Sequence, residues 1–219
     1  MAIALIAGIA RAAAADTGQA CEVIPMPCTF EAQPFKLRVI DAETQKPLAD
    51  VHALAEWRME GAGGRANGPL MVKDALSDAD GQVSFDGWGP IQGPWTGLVI
   101  GSDPVVTLFK SGYKSALLNN GYLPPSRERE RIRRFVRRDV TYALEPFRGT
   151  PEEWVKELDR IYAGRAFPRS DDQSLQFRDQ YLNRLRRVWI ERQSVSARTE
   201  RDLFWFIERA MRFLEEGHR

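Results

Sequence analysis

The chain has 219 residues, 31 Lys and Arg against 30 Asp and Glu, 43% hydrophobic residues, two His and two Cys. That length can bury a real core, in one large domain or a domain with an appendage, and a formal net charge of +1 argues against a general polyanion binder. The composition is neither disordered nor low in complexity, and two His and two Cys leave little material for a metal centre or an assisted nucleophile.

Residues 1–15 read as a signal peptide. The apolar run from Met1 to Ala10 is too short to cross a bilayer but has the length of a signal-peptide core, and Ala13, Ala14 and Ala15 supply small residues for cleavage after Ala15. No Lys or Arg precedes the run, which departs from the usual pattern. Residues 16–34 form an N-terminal segment carrying Cys21 and Cys28 with Pro25 and Pro27 between them. In an oxidising compartment a small-loop disulfide is expected, tying down the terminus. Lipid attachment at Cys21 wants an apolar residue three positions earlier, where Gly18 stands, and a Cys-x6-Cys spacing without nearby His is poor zinc material.

From Phe35 to Pro146 the pattern is strand-like. Lys36–Ile40 alternates and runs into the polar turn Asp41–Pro47, and Val51–Trp57 resumes the apolar run. Gly61 to Pro69 holds four Gly and a Pro and reads as a loop. Asp78–Gly81 is a turn leading into Gln82–Phe85, which alternates with period two. Leu98–Ile100, Val105–Phe109 and Val140–Leu144 complete the strands, with a turn at Ser111–Tyr113. Short strands between turns, without a helical period, predict a β-sandwich over 35–146.

The pattern changes at Gly149. Thr150 as N-cap, Pro151 at the first position and Glu153 closing a capping box predict a helix start, with Trp154, Leu158, Ile161 and Tyr162 on one face and Gly164 ending it. A second helix starts at Ser170–Gln173, with Tyr181, Leu185, Val188 and Trp189 as its stripe. A third begins near Ser196, with Leu203, Ile207, Ala210 and Leu214 along one side and Gly217 at the end. The helical region thus spans 150–217, and the class is α+β. Each amphipathic face needs cover, from the sandwich or from another copy of the chain.

The order of turns resembles the carboxypeptidase regulatory-like, or prealbumin-like, antiparallel sandwich. The residues that carry the resemblance are Leu37–Asp41 with Pro47–Val51, then Ser77–Gly81 with Phe85, then Lys110–Tyr113, then Leu144. It covers about half the chain and not the helices; its motifs are weak singly, since each is turn chemistry. The resemblance implies about seven antiparallel strands and relatives that are mostly accessory modules. The enzymes of that shape need residues this chain does not offer. Iron dioxygenases use two Tyr and two His, whereas this chain has His52 and the penultimate His218. Hydroxyisourate hydrolases need several His and a Tyr-Arg-Gly-Ser ending, and zinc carboxypeptidases a His-x-x-Glu pair and a longer domain.

His52 sits in an apolar strand and reads as a packed or rim residue. No Gly-x-Ser-x-Gly elbow exists. Asp78 and Asp80 begin a calcium-loop pattern but lack its third acid and distant Glu, so a hairpin turn is expected. Trp88 and Trp95, in a Gly/Pro-rich stretch, suggest a glycan-binding platform, against a bland role as plugs at the sandwich end. Arg127, Arg129, Arg131, Arg133, Arg134, Arg137 and Arg138 form a patch for an anionic partner, or a solvated stretch balanced by acids elsewhere. Phe204, Trp205 and Phe206 are adjacent, so at least one faces away from the helix core and is available to a partner.

The expectation is therefore an exported, periplasmic or secreted, non-catalytic binding or scaffolding protein. It meets another envelope protein or itself, without cofactor, metal, nucleic acid or transmembrane segment. The alternatives are a carbohydrate-binding module using Trp88 and Trp95 and a hydrolase using His52 and nearby acids.

Overall fold

Alternation along the strands decides which layers they can join. In a computed structural model, which describes residues 29–60, 66–92, 98–99, 103–121, 132–163, 175–195 and 203–217, eleven strands are found among the described residues. They are β1 (Thr29–Ala32), β2 (Phe35–Asp41), β3 (His52–Glu60), β4 (Ala66–Leu76), β5 (Gln82–Phe85), β6 (Trp88–Gln92), β7 (Leu98–Val99), β8 (Val105–Phe109), β9 (Ala116–Leu118), β10 (Ile132–Arg133) and β11 (Thr141–Leu144). Helices follow: α1 (Pro151–Ala163), α2 (Arg178–Ile190), a 3-10 turn at Glu191–Ser194, and α3 (Leu203–Glu216). The class is α+β, as the sequence reading has it.

One layer is built from two three-stranded sheets in the orders β10-β1-β6 and β11-β2-β5. The other is the sheet β4-β3-β8-β9, with β7 paired to the end of β3. Most pairings are antiparallel. Two are parallel, β1 with β10 and β2 with β11, which corrects the wholly antiparallel expectation. Strand β2 alternates buried and exposed, so Phe35, Leu37 and Val39 face inward. They meet Ala53, Ala55 and Trp57 of β3, Val83 and Phe85 of β5, and Val106 and Leu108 of β8 in one core.

Turn residues hold the layers in register. Gly81 takes φ +74°, and a Cβ there would lie 2.2 Å from the Val39 carbonyl oxygen, so the hairpin admits only glycine. Asp78 closes the same turn by accepting the Asp80 and Gln82 N–H groups at 3.0 and 2.8 Å, which gives the Asp78–Gly81 pattern a structural job. Ser77 donates its hydroxyl to the Leu48 carbonyl at 2.6 Å and accepts the Val51 N–H at 2.8 Å. The Tyr113 hydroxyl donates to Asp41 at 2.8 Å, joining two of the motifs that carry the prealbumin-like resemblance.

The helices lie against the outer face of the β4-β3-β8-β9 sheet. Leu54, Val72 and Phe109 point away from the sandwich core and pack with Leu158 of α1, Tyr181, Leu185 and Val188 of α2, and Phe204, Ile207 and Leu214 of α3. Strand β8 is therefore buried at all five positions, having apolar or polar cover on both sides. The capping box at the start of α1 forms as expected: Thr150 N–H donates to Glu153 at 2.8 Å and Glu153 N–H to the Thr150 hydroxyl at 3.3 Å. Trp154 stacks on Phe147 with centroids 4.8 Å apart and donates its Nε1–H to Glu191 at 3.1 Å, tying α1 to the end of α2.

Three further expectations shift. The strands begin at Thr29, inside the segment set aside as 16–34, because Phe30 and Ala32 carry the core past Pro34. Strand β4 starts at Ala66, inside the expected glycine loop, and accommodates Gly68 and Pro69 through register shifts opposite Trp57–Glu60. Trp88–Gln92, in the Gly/Pro-rich stretch, is a strand. The expected signal peptide at 1–15, the expected Cys21–Cys28 disulfide, and Gly164, Ser170–Gln173 and Ser196 lie outside the described residues.

Candidate functional site

A connected polar cluster sits between the outer sheet face and α2. Alternation in β3 sends His52, Leu54 and Glu56 to one side and Ala53, Ala55 and Trp57 to the other. Arg184 projects from the buried stripe of α2 into this face and is fully enclosed, and His52 is 1% exposed. The Arg184 guanidinium donates through Nε to His52 Nδ1 at 2.9 Å and through its two terminal nitrogens to the His52 carbonyl, the Thr107 hydroxyl and the Thr107 carbonyl at 2.9–3.2 Å. Because Nδ1 accepts, Nε2 carries the proton and donates to Asp74 on β4 at 3.2 Å. Asp74 also accepts from Asn183 of α2 at 2.9 Å.

A second acid completes the cluster. Glu56 accepts from Tyr181 of α2 at 2.9 Å and from Arg58 at 2.6 Å. Burial pushes the Glu56 carboxyl up, against the pull of Arg58 and Tyr181. Burial and then Arg184 push His52 down to about 4, with Asp74 opposing. Burial lowers Arg184 to about 9, with Glu56 and Asp74 opposing, so it stays a cation at neutral pH. Burial pushes Asp74 up, but the bonds from His52 and Asn183 outweigh it and leave the carboxyl below its ordinary value. Both imidazole nitrogens are engaged internally, so the arrangement joins a helix to a sheet and presents no open lone pair to a substrate.

A cleft of about 640 Å³ opens where the base of the sandwich meets α1, lined by residues that include Lys114, Phe147, Arg148 and Lys156. Its charges are largely matched: Lys114 pairs with Glu145 at 2.6 Å and Arg148 with Glu43 at 3.0 Å. Glu157 accepts from the Ser115 backbone and hydroxyl at 2.9 and 2.8 Å and from Arg160 at 3.3 Å.

The structure separates the residues the sequence groups together. Trp88 is 9% exposed and packs edge-to-face on Trp57, centroids 5.4 Å apart, so it plugs the core and offers no platform; Trp95 lies outside the described residues. Within the arginine patch, Arg133 is buried and pairs with Asp103 at 3.2 Å, which removes it from any outward-facing patch. Arg134, Arg137 and Arg138 are exposed, and Arg127, Arg129 and Arg131 lie outside the described residues. Burial raises Asp103 to about 7 despite the Arg133 charge. On α3, Phe204 is buried, which takes it out of the candidate interface. Trp205 and Phe206 are 51% and 44% exposed, their rings 4.9 Å apart, with the Arg209 guanidinium 5.4 Å from the Trp205 ring centre.

Sequence reasoning missed Arg184 because one Arg among five in 178–192 carries no mark of burial. Its place in step with Tyr181, Leu185 and Val188 on one helical face was the available signal. No helix among the described residues is long and apolar enough to cross a membrane.

No family model matches the chain, and no curated protein matches it. Solved structures with some likeness include a 3-chlorocatechol 1,2-dioxygenase from Rhodococcus opacus 1CP, at 16% identity and TM-score 0.32 over 57% of this chain. The major pilin SpaD of Corynebacterium diphtheriae aligns at 12% and 0.29 over 54%, and the group B streptococcus pilus 2b backbone protein at 12% and 0.23 over 52%. The chain spans 66%, 30% and 41% of those structures' lengths. Likeness this distant carries no function across.

Proposed function

We propose that this protein is an exported, non-catalytic binding or scaffolding component of the bacterial cell envelope that works by protein–protein contact through the outward side of α3. The observation that carries the reading is the Trp205–Phe206 pair: two adjoining aromatic rings about half exposed on a helix whose other side is buried in the core. Tryptophan in particular concentrates binding energy once a partner excludes water around it. The signal-peptide pattern of residues 1–15 supports the address, and the prealbumin-like order of turns supports an accessory-module role for the β body.

The partner is another envelope protein or a second copy of the chain. The test is a Trp205→Ser/Phe206→Ser variant compared with wild type by light scattering after size exclusion and by co-purification from the native envelope. Loss of a wild-type complex, with unchanged circular dichroism, is the expected outcome. A wild type that is strictly monomeric and whose envelope partners are the same as the variant's would overturn it. A hydrolase built on His52 has weaker support, since both of its ring nitrogens are held by protein groups. The glycan platform loses Trp88 to the core.

A further inference from the structure

We infer that protonation of His52 releases α2 from the outer face of the sheet, making the joint between the helical layer and the sandwich an acid-sensitive latch. The latch rests on the direction of one hydrogen bond. Arg184 Nε–H has His52 Nδ1 as its acceptor at 2.9 Å, and a guanidinium has no acceptor of its own to offer in return. A proton on Nδ1 turns that acceptor into a donor facing a donor. It also sets two cations side by side where neither side chain meets water.

The surrounding charges do not cancel this. On β4, Asp74 faces His52 and holds Nε2. On α2, Arg187 adds a second positive charge that disfavours the protonated ring. On β3 itself, Glu56 partners Arg184 electrostatically, and its carboxyl is held above the ordinary range by burial, so its own protonation works against release. Strand β8 contributes Thr107 and Phe109, which do not titrate here; Arg184 sits 5.9 Å from the Phe109 ring centre. Asn183, neutral, completes the α2 side through Asp74.

The sign follows from the folded ring titrating near 4, below the ordinary 6.5. The closed form binds fewer protons than the open one, so closure is fully favoured above about pH 6.5 and is lost progressively as pH falls toward 4. The gap between those values sets a limiting fall of about 300-fold in the closed-to-open ratio, of which about 150-fold is reached by pH 4. Release is local because Arg184, Asn183 and Tyr181 tie α2 to the sheet, whereas the sandwich core on the other face holds none of these groups.

The experiment is amide hydrogen exchange on the full chain from pH 7.5 to 4, corrected for intrinsic rates, on wild type and on His52→Asn, whose amide oxygen stands near the Nδ1 position. In wild type, α2 is expected to lose protection reversibly by about 150-fold by pH 4 while the β2–β5 pair stays protected, and the variant's α2 is expected to lack that fall. Protection of α2 unchanged down to pH 4, simultaneous loss in α2 and β2, or the same pH profile in the variant would each overturn the proposal. If the variant does not fold, nitrogen shifts of the wild-type His52 ring decide. Protonation coinciding with loss of α2 protection supports the latch, and a protonated ring beneath a protected α2 refutes it.

Discussion

Replacing Arg184 with Met tests how much of the joint between sheet and helix rests on one side chain. Met keeps most of the stem volume and removes the guanidinium that bonds His52 and Thr107. Three consequences set the magnitude. His52 Nδ1 is left buried without a donor, which costs about 1–3 kcal/mol. Glu56 and Asp74 lose a nearby positive charge, which adds to that cost. The two carbonyls contribute little, because they also belong to strand ladders, and the Thr107 hydroxyl keeps a weak contact with the Leu54 carbonyl at 3.5 Å. The gain from no longer desolvating a cation offsets part, so the expected net loss is about 3 kcal/mol, a large share of a typical stability of about 5–15. Urea unfolding monitored by tryptophan emission and far-ultraviolet circular dichroism measures it, with the slope checked for two-state behaviour. A second variant, Arg184→Met/His52→Leu, makes the site apolar on both sides and is expected to recover about 1–2 kcal/mol of the loss. A single variant within about 0.5 kcal/mol of wild type, or a double variant that is merely additive, refutes the account of Arg184 as the tie between α2 and the sheet.

Other substitutions probe separate parts of the molecule. Asp103→Asn isolates a buried acid whose folded value near 7 lies above its ordinary 3.8. Its contribution is fully present below pH 3.8 and lost as pH rises through 7, so the variant should gain stability relative to wild type across that window, read from urea midpoints at pH 4, 5.5 and 7.5. Gly81→Ala forces a β-carbon against the Val39 carbonyl at positive φ and should cost more than about 1–2 kcal/mol, seen as a fall in Tm of at least about 4 °C. Thr150→Ala removes one arm of the capping box and should cost about 1 kcal/mol, with faster amide exchange confined to the first turn of α1.

Much of the β body can be read directly because its strands have one wet face. Lys36–Ile40 and Gln82–Phe85 alternate in sequence, with Lys36, Arg38, Gln82 and Ser84 exposed and Leu37, Val39, Val83 and Phe85 buried. Legibility fails where both faces are covered. Met71–Leu76 of β4 mixes apolar and charged residues because one side packs into the sandwich while Asp74 on the other serves His52 and Asn183. Short pairing segments such as β9 and β10 exist only through partners distant in the chain, and no local pattern announces them. The α1 start is legible because Thr150, Pro151 and Glu153 act within one turn. Among the site residues, Trp88 looked outward only because Gly and Pro surround it; a strand whose first residue is buried and which then runs through exposed Gly89 and Pro90 reads the same way. Arg133 hid similarly, one arginine of a run turned inward to meet Asp103.

Strand β8, wrapped on both sides, makes the β4-β3-β8-β9 sheet a party wall shared by two cores. A chain cut after residue 149 would leave Leu54, Val72 and Phe109 facing water beside an uncovered His52 and Glu56. Transplanting the β body alone would expose that face: its helices are the roof of the same building, and any boundary drawn for expression belongs beyond Glu216.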